Sequence, residues 1–175
     1  MEIQLLTNED MVKGLMPISQ NLAGDYLKTA MFEAQELGLK RIVGSTLLSA
    51  LKEHETAGDW EHYPAYAELK KQCQFYLVYK TIQEVLPKVS FKIANAGAVQ
   101  TSDQNMQNLS REQIDALIED YSSKADAFCY ELQNWLCDHL ADYPELEEWE
   151  REAISSNLYS AASCGIWLGG ARGQL

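Results

Sequence analysis

The sequence predicts a mainly α fold: a helical bundle of about five helices, with one β-hairpin inserted between the third and fourth principal helices. Three observations predict it. Apolar residues recur at helical spacing along most of the chain. The period switches to two over one short stretch, Val89, Phe91 and Ile93. The 4 Pro and 10 Gly of the 175 residues fall mostly where periodic segments stop, which is where such residues punctuate a chain.

Taken in order, Asn8 can cap a short first turn through Asp10, Met11 and Val12, stopped by Gly14 and Pro17. Asn21 is a good N-cap for the next helix. Leu22, Tyr26, Leu27, Ala30, Met31, Ala34 and Leu37 then build one apolar stripe, closed by Gly38. Ile42-Val43-Gly44 reads as a tight apolar turn. Ser45 caps a short helix carrying Leu47, Leu48 and Leu51, and residues 56–63 form a loop.

Pro64 suits the first position of a long helix, where its missing N–H costs nothing. That helix is expected to reach about Leu86 and to end at Pro87. Apolar residues nearly all round its second half, including Phe75 to Tyr79, imply burial by several neighbours. Residues 88–101 read as the hairpin, with Asn95-Ala96-Gly97 as turn chemistry. Residues 102–108 are polar and aperiodic.

Ser110-Arg111-Glu112-Gln113 is a capping box, with Leu109 and Ile114 placed as a hydrophobic staple. The helix it opens is expected to run to about Ala141. Ile114, Leu117, Ile118, Tyr121, Ala125, Phe128, Leu132, Trp135, Leu136 and His139 share one apolar arc. Glu112, Asp115, Glu119, Asp120, Asp126, Glu131, Asp138 and Asp142 lie on the other half. Pro144 breaks the helix, and Glu145 to Ala162 can form one more. The expected division is a domain over 1–143 and an extension over 144–175, the latter a helix followed by a Gly-rich apolar tail.

The charge is −12, and it is local. Residues 1–102 hold 12 acids against 10 bases, residues 103–152 hold 14 against 3, and residues 153–175 hold only Arg172. Such a balance argues against a phosphate-gripping surface, which needs clustered Lys and Arg. The first residues lack the basic and apolar regions of a secretory signal. No apolar run approaches the roughly 18 residues of a membrane span. A cytoplasm-like, reducing compartment is expected, with Cys73, Cys129, Cys137 and Cys164 as free thiols.

Chemistry-bearing motifs are scarce. Neither a dinucleotide fingerprint nor a phosphate loop nor a nucleophile elbow occurs. His54 and His62 flank a loop near Glu53 and Glu61, without metal-ligand spacing, and read as surface histidines rather than a metal pair. His139 reads as a buried, hydrogen-bonded histidine. Asp115 and Glu119 share a face, as acids on any solvated helix do, so no catalytic residue, cofactor or metal is expected. The tail residues Ile166, Trp167, Leu168 and Arg172 have two readings: a strand of chain folded on its own core, or an arm docking on a partner with Trp167 as anchor.

Several blocks carry a resemblance. They are Met16-Pro17-Ile18-Ser19-Gln20-Asn21, Ala30 with Glu33-Ala34-Gln35, and Ile42-Val43-Gly44 followed by Leu47, Leu48 and Leu51. Tyr76 and Tyr79 follow, then Phe91-Lys92-Ile93 with Asn95, Gly97 and Val99, then the capped long helix. Over roughly residues 5–142 this order resembles small structural proteins of tailed bacteriophages and prophages, similar to head–tail connector (adaptor, head-completion) proteins. The resemblance implies a non-enzymatic virion protein, made in the host cytoplasm. It implies a homo-oligomeric ring, typically of twelve copies, between a portal protein and tail components, through which DNA passes. Glu112, Asp115, Glu119 and Asp126 could then form a channel wall that repels duplex, or simply a solvated face. The alternative from another class is a soluble acidic interaction or regulatory module that binds a basic partner.

Overall fold

A computed structural model describes residues 4–15, 24–94, 97–100 and 111–157. Its elements are α1 (Glu9–Leu15), α2 (Gly24–Glu33), a π-helical turn (Ala34–Leu39), α3 (Lys40–Ala57), α4 (Pro64–Ser90), α5 (Arg111–Asp138) and α6 (Glu148–Asn157). Short 3₁₀ turns at Trp60–His62 and Leu140–Asp142 join α3 to α4 and α5 to α6. The architecture is mainly helical, as the periodicity predicts.

α4 is the axis of the bundle. Leu69, Cys73, Tyr76 and Leu77 pack into one apolar cluster with Leu47, Leu48 and Leu51 of α3 and Leu132 and Leu136 of α5. Val78, Ile82 and Leu86 pack into a second with Val12, Leu27, Met31 and Tyr121. One helix thus serves two clusters in succession along its length.

The segment from Gly24 to Ala57 departs from regular α-helix twice, at a π-helical turn and at Gly44. The π-helical turn brings Gly38 against the ring of Tyr76, with so little space that a Cβ on Gly38 would stand 2.5 Å from the Tyr76 hydroxyl oxygen. Gly38 therefore does not end a helix, as its position in the sequence suggests; it permits two elements to touch. The kink is at Gly44, whose φ of 83° and ψ of 172° break α3 at the expected apolar turn. A side chain there would be strained by conformation rather than by crowding.

The same turn buries Gln35. Its Oε1 accepts from the Leu6 N–H and its Nε2 donates to the Gln4 carbonyl, both at 2.9 Å. Gln74 donates to the Leu6 carbonyl at 2.9 Å. Two glutamines thus satisfy the backbone of residues 4–6 while Leu6 enters the core, an arrangement that a buried unpaired chain would require.

Three expectations need correction. α4 continues through Pro87 to Ser90. Pro87 is exposed in the last turn, so its missing N–H forfeits one helical bond, to the carbonyl four residues back, and Lys88 beyond it is tied to Glu33 of α2 by an ion pair. Residues 88–90 are therefore helix and not hairpin. The backbone of Phe91–Ala94 pairs antiparallel with Gly97–Gln100, but among the described residues both apolar clusters are lined by helices and their connections, so an inserted hairpin is no structural layer of this fold. The division at residue 143 also fails as a packing boundary. Tyr143, Leu146 and Ile154 join the cluster formed by α3, α4 and α5, because Arg151 holds the α5–α6 connection from within. Its guanidinium donates to the carbonyls of Leu140, Tyr143 and Leu146 at 2.6, 2.6 and 3.1 Å.

Candidate interaction surface

The acids singled out on α5 do not form one equivalent surface. Glu112, Asp115 and Glu119 are exposed along its N-terminal half. Asp126, two turns further, is half-buried. Burial raises its carboxyl above the ordinary range, against the opposing charge of Lys80. A carboxyl with a raised folded-state pKa gains stability as pH falls through that pKa, and costs stability when ionised at neutral pH. Asp126→Asn is therefore expected to raise the thermal midpoint slightly at pH 7. Partial exposure keeps the gain below about 1 kcal/mol. The difference from wild type should shrink as the pH is lowered into the carboxylate range, read by thermal denaturation at several pH values.

Opposite the acids, the apolar side of α5 meets α4 in a row of aromatic rings. Phe75 and Phe128 stack at 5.7 Å, Phe128 and Tyr79 at 4.9 Å, and Tyr79 lies 6.0 Å from Tyr121. The Tyr121 hydroxyl donates to the Leu15 carbonyl at 2.9 Å and so fixes the end of α1 beside this row. Between α1 and α4 lies a groove of about 340 Å³, lined by Met11, Leu15, Phe75, Val78 and Tyr79. Its polar rim is Glu68, Lys71, Gln72 and Gln74. Phe75 remains 53% exposed and Leu15 50%. Apolar spacing alone places Phe75 on a helix buried all round. The available signal was its excess: the run Phe75 to Tyr79 offers more apolar surface than the elements around α4 cover.

A second exposed ring lies elsewhere. Trp149, in the first turn of α6, is 62% exposed. Its indole N–H donates to the Glu147 carboxylate at 2.5 Å, which leaves the apolar faces of the ring open. Its neighbours are Arg41, Ile42, Gly44 and Ser45 of α3, none of which lines the α1–α4 groove.

His54 is placed differently from the expected surface histidine. Its Nδ1 lies 2.9 Å from an Asp59 carboxylate oxygen. Its ring packs 4.2 Å from Tyr63 and 4.7 Å from Tyr66. Lys70 stands 4.5 Å over the Trp60 ring and pairs with Glu55, and Tyr66 donates to Glu145. This cluster locks the α3–α4 corner; His62 is exposed and outside it. Among the described residues, no group of three or more His, Cys, Asp or Glu side chains is arranged to hold a metal ion. His139 is half-buried, with its Nδ1 2.7 Å from the Trp135 carbonyl and its ring stacked on Trp135.

Cys73 and Cys137 are free thiols, and burial pushes both above the ordinary thiol range. Cys129 departs from the free-thiol expectation and is disulfide-bonded. Ile166, Trp167, Leu168 and Arg172, together with residues 102–108, lie outside the described residues.

No helix among the described residues is long and apolar enough to cross a membrane. No curated protein matches the chain, and no solved structure does. A family model matches residues 39–154, a stretch described as a family of unknown function (DUF6712). The match begins at the end of the π-helical turn, runs through α3, α4 and α5, passes Pro144 and takes in most of α6, the same helices that share the larger core. On that match the chain belongs to the DUF6712 family.

Proposed function

We propose that the chain is a structural subunit of a tailed-phage virion, a head–tail connector or adaptor that assembles as a homo-oligomeric ring between portal and tail. The observation that carries this reading is the presence of two chemically different faces on one small helical body. One is the exposed acidic row Glu112, Asp115 and Glu119. The other is the apolar groove between α1 and α4 with the aromatic row behind it. A subunit of a closed ring must present one surface to the neighbour on its left and another to the neighbour on its right. A ring that also surrounds DNA must let the duplex slide. Carboxylates release no counterions from phosphate and repel the backbone, so an acidic lining is non-adhesive. The block resemblance described above points to the same role.

The test is negative-stain electron microscopy of the full chain, alone and mixed with a portal protein of a tailed phage. Rings, alone or seated on the portal, are the expected result. A chain that remains a dispersed monomer at high concentration, with portal present, counts against the reading. If it then also captures a basic protein in a salt-sensitive way, and loses it when Glu112, Asp115 and Glu119 are neutralised, the acidic-module alternative takes its place.

A further inference from the structure

We propose that Cys129 of α5 and Cys164 form a redox-sensitive staple, which holds the segment Ile166-Trp167-Leu168 beside α5 when closed and releases it when reduced. The two readings of that segment, folded on its own core or free to dock on a partner, then become the two states of one bond. The inference stands apart from the connector reading.

The pairing follows from the state of each thiol. The chain has 4 cysteines. Cys73 and Cys137 are free, and Cys129 is disulfide-bonded. Cys164, outside the described residues, is the one that remains. Cys129 is 3% exposed and belongs to the cluster shared by α3, α4 and α5, a position that favours a partner from its own chain over one from another copy.

The reach is short. α6 packs against α5, and the Ile154 carbonyl lies 4.0 Å from the Cys137 sulfur. Cys129 is two turns back along α5 from Cys137, roughly 12 Å at the helical rise. The ten residues from Ile154 to Cys164 can span up to ~33 Å, so the bond closes without moving α6. A chain running back along this face would pass Gln133, one turn from Cys129. That polar side chain is 2% exposed, and passing backbone offers the hydrogen-bonding groups such a side chain requires. Cys137 is a poorer partner although it is nearer, because burial raises its thiol above the ordinary range and so suppresses the attacking thiolate. Once closed, the bond keeps Trp167 within about 11 Å of Cys164, three residues of extended chain.

Glutathione disulfide is a sufficient oxidant. One cysteine thiolate attacks it and releases one glutathione thiolate; the other cysteine, losing its proton, displaces the second glutathione and forms the Cys129–Cys164 bond. Two electrons pass from the protein to glutathione, and excess reduced glutathione reverses both steps. A reducing cytoplasm therefore keeps the staple open, and an oxidising exterior closes it.

The experiment incubates the full chain with glutathione disulfide or with a reductant, alkylates the remaining thiols and digests with trypsin without reduction. Cleavage after Lys124, Arg151 and Arg172 should leave peptide 125–151 joined to peptide 152–172 in the oxidised sample alone. Cys164→Ser is expected to abolish the joined pair and Cys137→Ser to retain it. Chymotryptic cleavage beside Trp167 should be at least ~10-fold slower in the oxidised protein than in the reduced protein or in Cys164→Ser, as expected where a local opening is suppressed. Four alkylated thiols after oxidation, a joined pair that Cys137→Ser removes, or a covalent dimer on a non-reducing gel overturns the pairing. Equal cleavage in the two redox states overturns the release.

Discussion

Gly38→Ala is expected to destabilise the protein by ~1–3 kcal/mol, the scale of overpacking a filled interior. Two effects oppose each other at this position. Alanine is the better helix former by up to about 1 kcal/mol. Its Cβ, however, would stand 2.5 Å from the Tyr76 hydroxyl oxygen, and the Tyr76 ring is buried among α3, α4 and α5 with little room to retreat. The clash should win. Tyr76→Phe identifies the cause, because without the hydroxyl the nearest ring carbon is 3.4 Å away. In the Phe background, adding Gly38→Ala should cost little or become favourable. Urea denaturation of the four proteins, with an unchanged slope, provides the cycle. An equal loss in both backgrounds would place the strain in the π-helical turn itself rather than in this contact.

Arg151→Met is the second large effect. The guanidinium donates to three carbonyls, those of Leu140, Tyr143 and Leu146. Bonds to a charged donor contribute about 1.5–3 kcal/mol each and do not add fully, so a total near ~2–4 kcal/mol is expected. Because Thr46 also bonds Glu150 at 2.5 Å, and Leu146 and Ile154 still pack on the core, the loss should be regional. Amide exchange should accelerate in α6 and the 140–147 connection before it does in α4. Arg151→Lys should recover little, since an ammonium cannot reproduce the planar fork that reaches three carbonyls.

These two positions show where the sequence was legible. The long helices were, because their apolar spacing is repeated over many turns: Leu69, Cys73, Tyr76 and Leu77 of α4 and Tyr121, Ala125, Leu132 and Leu136 of α5 are all buried. The break at Gly44 was legible too, as a glycine between apolar residues and a helix-capping serine. The role of Gly38 was not, because a glycine that ends a helix and a glycine that admits a tyrosine from another helix look the same in one dimension. The role of Arg151 leaves no mark in the sequence for a related reason: its partners are carbonyls, which every residue has. Pro87 reads as a stop because a proline forfeits one helical bond, whereas the ion pair that holds Lys88 beyond it is made across the fold to Glu33.

The candidate surface was legible only in part. The acidic row followed from counting charges, yet Asp126 shares its arc and is half-buried, since the packed side of α5 shifts along the helix. Phe75 and Trp149 were hidden by their chemistry, as an aromatic residue on a helix reads as core until the neighbours that should cover it are placed.

The mass distribution of the protein as a function of concentration tests the central claim most directly. Assembly by a heterologous contact into a closed ring predicts that mass photometry finds one large species of fixed copy number alongside monomer, with intermediates sparse. A single monomeric peak at every concentration, or a simple dimer that grows no further, would contradict it.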